Sequence, residues 1–494
     1  MNTKITSRAL FLNAPSFRML AFIIAILSLN AEVCSAQGVR MRSDSLARVV
    51  RDRFNLGSAD SIYAMTAQVY RARMSREKFA AGLSKFRAKM GRWVKFDFKE
   101  ANDRGVDYWA EFEEGRQIFS IQVGENDSLV RINFSEVSRA ALEKAGRVPG
   151  NNPMQDSLDH LIEQVIRPYI QQQNTCGLAI AVITKGGVRR FSYGSTSMES
   201  KLLPDPEMTL FEIGSVTKAF TALLLSMTVV SGKVNIDDPV SQFLPDSIPL
   251  LGYEQHPVTL KHLANHTSGL PRLPANIFTG AVDPRDPYRH YRRDSLYQYL
   301  MHFKETQAPG KDFSYSNLGA GILGTVLENV WQKTFEELLI EKICRPLKMD
   351  HTTITLSKSD QKNFAVGYNE NGLPTPLWDL GALKGSGAIR SSLNDMIRFT
   401  QAQLSASGSM ASAARLMQKT TFESETHQMG LGWRINADKN MAYFHHAGGT
   451  GGFRSFVGFD VQRQLGIVIL SNAAQEVAPA GETILRKCQR LMAN

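Results

Sequence analysis

Three short stretches hold the residue types that acyl transfer through a covalent serine requires: Ser215-Val216-Thr217-Lys218, Tyr315-Ser316-Asn317 and His446-Ala447-Gly448-Gly449. They supply a hydroxyl nucleophile, an amine to take its proton, a phenol as second base and a glycine-rich strand edge. A Ser-x-x-Lys pair alone says little, because it arises by chance about twice in a chain of this length. A second copy, Ser75-Arg76-Glu77-Lys78, reads as an ordinary helix start. The order and spacing of the three stretches carry the argument.

Each stretch needs an element to position it. From Ser215 to about Val230 the sequence is apolar nearly all round, which predicts a buried central helix. Residues three apart share a helix face, so Lys218 stands above Ser215. The helix N-terminus adds free N–H groups and partial positive charge for a developing oxyanion. An amine inside such a helix is desolvated, which lowers its pKa and suits it to accept the serine proton. The plain alternative, Ser215 as an N-cap with Lys218 in solvent, conflicts with the apolar surroundings.

Tyr315 follows the loop Pro309-Gly310-Lys311-Asp312-Phe313 and precedes the small-residue helix that begins Gly319-Ala320-Gly321. To act as a base its phenol must ionise about three pH units early, roughly 4 kcal/mol. Cations at Lys218 and His446 are the expected source. Glycines at 448, 449, 451 and 452 let a substrate backbone approach closely, and the Gly449 N–H is expected to complete an oxyanion hole with that of Ser215. No helix follows Gly452, so the dinucleotide pattern fails. On a strand His445 and His446 face opposite ways; His446 is assigned to the site and His445 to the surface. His262 and His266 form a His-x-x-x-His pair, but Leu263 stands where a zinc protease has glutamate, so neither a metal nor another cofactor is expected.

The 494 residues exceed a single core, and 43% apolar with 21% charged residues describes a globular protein of two domains. Residues 1–36 read as a signal peptide: Lys4, Arg8 and Arg18 precede the apolar run 19–27, and Cys34-Ser35-Ala36 ends in a cleavage-like site. The run is short of the roughly 20 residues that span a bilayer, so no stable membrane span is expected after cleavage. A periplasmic or secreted protein follows. The cysteines left, Cys176, Cys344 and Cys488, are odd in number and scattered, so no disulfide framework is implied. The formal charge of +10 is spread thinly and no stacking-aromatic module accompanies it, which argues against nucleic acid as a partner.

Residues 37–148 read as a small α+β domain. Helical periodicity through Leu46–Phe54, Ile62–Val69 and Phe79–Phe86 gives way to alternation at Trp93–Phe98, Phe119–Val123 and Val130–Phe134. Helices followed by a curved antiparallel sheet resemble the cone-shaped domains related to nuclear transport factor 2, which implies binding or spacing, for a partner left open. The turn-rich stretch Arg147–Pro153 is the expected linker. Residues 149–494 open with a helix over 156–169 and strands at 177–184 and 188–193. They close with strands at 442–446, 452–460 and 465–471 and a helix over 482–491, so both ends should build one antiparallel sheet around a mainly helical middle.

On the three motifs, with Leu263–Pro271 and Gly385–Ser391 beside them, this second domain resembles the serine β-lactamase and penicillin-binding-protein superfamily, in particular class C β-lactamases and D-alanyl-D-alanine carboxypeptidases. The resemblance implies an α+β fold with a flanked antiparallel sheet and an all-helical part. It makes Ser215 the acylated nucleophile, Lys218 its proton partner and Tyr315 the base. It gives Asn317 a contact to the substrate amide, and sets Gly448 and Gly449 on the strand edge that holds the substrate. The implied activity is that of an exported serine hydrolase for β-lactams, cell-wall D-amino-acid peptides or small esters; a penicillin-binding sensor with little turnover is the alternative. Ala447 departs from the family's usual hydroxyl residue, which normally helps hold a carboxylate. A protonated His446 is the expected substitute.

Overall fold

The computed structural model describes residues 40–102, 105–113, 115–136, 147–172, 174–279, 282–283, 285–436 and 441–492. The leader expected over 1–36 lies outside them. The chain divides into two compact units, up to Val137 and from Ser138.

The first unit packs helices, including α1 (40–55) and α2 (Arg76–Met90), with an antiparallel sheet of β1 (Trp93–Asn102), β2 (Gly105–Phe112), β3 (Gly115–Val123) and β4 (Leu129–Glu136) in the order β1-β2-β3-β4. Ser75 caps α2 by accepting the Lys78 N–H, so this second Ser-x-x-Lys pair is a helix start. The strand β2 was not anticipated. Its core-facing set Val106, Tyr108, Ala110 and Phe112 alternates correctly, but Ala110 and the flanking charges mute the pattern. The core is aromatic, with Phe54, Trp93, Phe112, Phe119 and Phe134 in mutual edge and stacked contacts.

In the second unit α3 (Ser157–Ile170) leads into β5 (Gly177–Thr184) and β6 (Gly187–Gly194). The central helix α4 (Thr217–Val230) and α5 (Asn317–Trp331) follow, then α6 (Leu393–Ser405). The chain closes with β7 (Arg434–Asn436), β8 (Tyr443–Gly449), β9 (Arg454–Asp460), β10 (Leu465–Ser471) and α7 (Ala478–Leu491). The sheet, eight strands among the described residues, runs from two short edge strands through β7-β8-β9-β10-β5-β6. Strands from both ends of this unit therefore meet at the β10–β5 pair, where Ser471 lies opposite Leu178.

Alternation along β5 explains the layering. Leu178, Ile180 and Val182 face α3 and α7, while Ala179, Ala181 and Ile183 face the core around α4. The stretch expected as a linker instead lies against β6: Gly194 donates to the Pro149 carbonyl and Asn151 to that of Ser192. Turn residues at 149–153 mark an added sheet edge here, because paired backbone satisfies those groups better than a free tether would.

A buried ion pair ties down the chain just ahead of α4. Arg390 Nη2 lies 3.4 Å from Glu212 on the facing bridge strand and also donates to the Trp378 carbonyl, while Nη1 donates to the Ile354 carbonyl. Burial pushes the Glu212 carboxyl up, and the guanidinium opposes that. Removing one partner strands a charge in the core. Arg390→Met is expected to lose about 3–5 kcal/mol in urea denaturation. The double change Glu212→Gln with Arg390→Met should recover part of that; a single-mutant loss below about 1 kcal/mol would contradict the arrangement.

Candidate active site

Ser215 sits on a single tight turn, Gly214–Val216, that feeds directly into α4. Gly214 has φ +48°, a left-handed value that a side chain resists. The glycine is needed for space as well. A Cβ there would fall 2.6 Å from the Gly449 nitrogen, and one on Gly448 would fall 2.0 Å from the Ile213 carbonyl oxygen. The strand edge and the Ser215 turn are thus in backbone contact, and Ser455 on β9 fastens them by donating to Ile213 at 2.7 Å. This brings the Gly449 backbone nitrogen beside the turn that carries Ser215.

Lys218 lies one turn along α4 and is 3% exposed, while Ser215 remains half-buried and reachable. Its Nζ donates to Ser215 Oγ at 3.1 Å and to the Ser386 carbonyl at 2.7 Å. The Tyr315 ring lies beneath the amine, 4.9 Å to the centroid, with its phenol in hydrogen-bond reach of Lys218 and Ser215. Burial lowers the Lys218 pKa, outweighing the opposite pull of Tyr315. Burial alone would raise Tyr315; the Lys218 ammonium, the hydrogen bonds from Lys218 and Ser215, and the Arg272 guanidinium together bring it below 10. Both groups are thus held below their ordinary values and lie in hydrogen-bond reach of each other, so a proton can pass between them.

Tyr315 is anchored by its successor and by His266. Ser316 caps α5 by accepting the Gly319 N–H at 2.8 Å and donates to the Pro271 carbonyl at 2.7 Å, and its own N–H donates to His266 Nδ1 at 3.2 Å. The His266 ring packs 4.4 Å from that of Tyr315. Asn317 starts α5 with its side-chain oxygen buried and unpartnered, an open position for a donor from outside the protein. His446 is buried 6.4 Å from the Tyr315 ring.

Two expectations need correction. Burial and then the Lys218 charge drive His446 down to about 3, with Arg434 and His445 adding to them and the bond to the Ala447 carbonyl opposing. The ring is neutral at physiological pH, so it can neither lower Tyr315 by its charge nor offer a charged contact in place of the missing hydroxyl. His445 is half-buried, packed between Tyr443 and Phe456 with Glu482 4.0 Å away, and is no simple surface group.

The sequence reading overlooked three contributors. The Ser386 carbonyl fixes Lys218, and only the glycines around it hinted at a close backbone approach. Arg272 lies 5.2 Å over the Tyr315 ring. Arg434, on β7, lies 5.3 Å over Phe313. Neither arginine sits in a pattern that marks it before folding.

A model of the Beta-lactamase family matches residues 162–488, wholly within the second unit. A β-lactamase of Yersinia enterocolitica is 29% identical over 350 residues, 63% of this chain and 86% of that protein. The crystal structure of a β-lactamase/D-alanine carboxypeptidase from Yersinia pestis complexed with citrate is 26% identical, with TM-score 0.57, covering 68% of this chain and 98% of its own. A class C β-lactamase structure superposes with TM-score 0.59 at 23% identity over 67% of this chain and 96% of its own, a likeness of fold. Fold and relatives together define a serine hydrolase. The chain belongs to the Beta-lactamase family, within the serine β-lactamase and penicillin-binding-protein superfamily.

The Tyr315 environment is open to test by ultraviolet difference titration of the unaltered chain against Tyr315→Phe. One phenol should ionise below pH 10. In Lys218→Met burial dominates and the same phenol should move above 10. A Tyr315 transition that ignores Lys218 would overturn the coupling.

Proposed function

We propose that this protein cleaves an amide or ester bond through an acyl-Ser215 intermediate. The carrying observation is the hydrogen bond from a buried lysine amine to the half-buried Ser215 hydroxyl, 3.1 Å, with a phenol lowered beside both. Ser215 Oγ attacks the substrate carbonyl carbon and its proton passes to the Lys218–Tyr315 pair. The N–H groups of Ser215 and Gly449 receive the oxyanion. The C–N or C–O bond breaks as Tyr315 returns that proton to the leaving atom. Water then attacks the acyl carbon and gives a proton to Tyr315; the acyl C–Oγ bond breaks, Tyr315 passes that proton to Ser215 Oγ, and the carboxylic acid leaves.

β-Lactams and D-amino-acid peptides are the favoured substrate classes, on the relatives' named activities and the orphaned Asn317 oxygen; small neutral esters fit the same centre. Ala447 and the neutral His446 weaken the strand edge as a carboxylate grip. We also propose export to the periplasm or medium, on the leader-like first 36 residues; among the described residues no helix is long and apolar enough to cross a membrane. The first unit, by its helices and four-stranded sheet, fits a cone of the nuclear transport factor 2 type with a binding or spacing role.

Intact-mass spectrometry after adding a penicillin tests this reading. The unaltered chain should gain the ligand mass and then return to its free mass, and Ser215→Ala should gain none while melting at nearly the same temperature. Lys218→Met should slow acylation roughly 10²- to 10⁴-fold. Labelling that survives Ser215→Ala would remove the nucleophile assignment, and a permanent adduct would favour the sensor.

A further inference from the structure

We propose that Arg272 reads an anionic group of the substrate, a carboxylate in the first instance, and that the anion is held on the Tyr315 side of Ser215 by this arginine instead of by the third-motif strand. The inference rests on the hydrolase reading above and specifies its substrate.

The positively ionisable groups near Ser215 differ in what they can offer. Lys218 is buried and occupied by Ser215 and Ser386. His446 and His266 are buried among other cations and held neutral. Ala447 brings no hydroxyl to the strand edge. Arg434 lies over Phe313, not over Tyr315. Arg272 is different in each respect: it is exposed, it lies 5.2 Å from the Tyr315 ring centroid, and among the described residues no carboxylate pairs with it. Its charge also acts on Lys218, whose ammonium it disfavours, and on the phenols of Tyr288 and Tyr315. A guanidinium set beside a buried amine, without a counter-ion, is repelled until an anion arrives.

The root of the side chain is fixed, which makes it more than a drifting surface arginine. The Arg272 carbonyl accepts the N–H groups of Asn317 at 2.9 Å and Leu318 at 3.2 Å, and the preceding Pro271 carbonyl accepts from Ser316. The arginine and the Tyr315 segment are therefore laced together, and the unpartnered Asn317 oxygen starts the same helix. A planar five-donor fork held there can take a carboxylate in two parallel hydrogen bonds, which a single hydroxyl or a neutral imidazole cannot. The competing account is that Arg272 only stacks on Tyr315 and tunes it.

Binding to a Ser215→Ala chain separates these without any turnover. N-Acetyl-D-alanine and its neutral amide are compared by equilibrium binding at low salt, with and without the added change Arg272→Gln. The acid should bind more tightly than the amide, by a gap that shrinks about ten- to hundredfold on Arg272→Gln and also falls with rising salt. Arg434→Gln should leave most of the gap in place. Equal weakening of both ligands, an unchanged gap, or no preference for the acid at the outset would each overturn the proposal. Acylation of the unaltered chain by p-nitrophenyl acetate, followed by intact mass, reports the hydrolase reading separately, because that ester carries no anion.

Discussion

An amine taken out of water must find other partners, and around Lys218 those partners are the parts of the site. Its Nζ has the Ser215 hydroxyl on one side, the Ser386 carbonyl on another and the Tyr315 ring beneath. Ser215 stands one helical turn away, but the other two come from distant parts of the chain, so the site forms only when α4, the segment before Arg390 and the start of α5 have packed. Desolvation disfavours the ammonium; the nearby phenol partly restores it. The outcome is an amine and a phenol in hydrogen-bond reach of each other, each with its pKa held below the ordinary value.

Backbone contact does for the strand edge what burial does for the lysine. Gly448 and Gly214 let Ile213 and Gly449 approach at distances no side chain would permit, and Ser455 locks the contact. The sheet behind it joins both ends of the unit, so the nucleophile's turn is braced against the last strands of the fold. Such bracing is what a preorganised oxyanion site needs, since its donors cannot reorient during the reaction without losing their advantage.

Much of this was legible before folding. The strands 177–184 and 465–471 stand at the bounds their apolar runs imply, and the buried helix from Thr217 follows from its uniformly apolar surface. The helix spacing of Ser215 and Lys218 was readable for the same reason: three residues make a turn wherever the helix lies. What failed depended on neighbours from elsewhere. His446 looked like a charge because a free imidazole titrates near neutrality, but burial first, and the Lys218 charge second, keep it neutral. The Pro149-Gly150 stretch looked like a tether, since turn residues do not reveal whether a strand edge awaits them. Arg272 was invisible because its place over the Tyr315 ring is set by packing, and a lone arginine after Pro271 has no local signature.

The account stands on Lys218 giving up its proton more readily than an ordinary lysine does. The direct measurement is a ¹³C NMR titration of the lysine ε-carbons in the intact chain, with the Lys218 resonance assigned by its loss in Lys218→Met. The account predicts a midpoint below the ordinary 10.5. A midpoint at or above that value would leave a permanent ammonium beside Ser215, with no amine able to take its proton, and would contradict it.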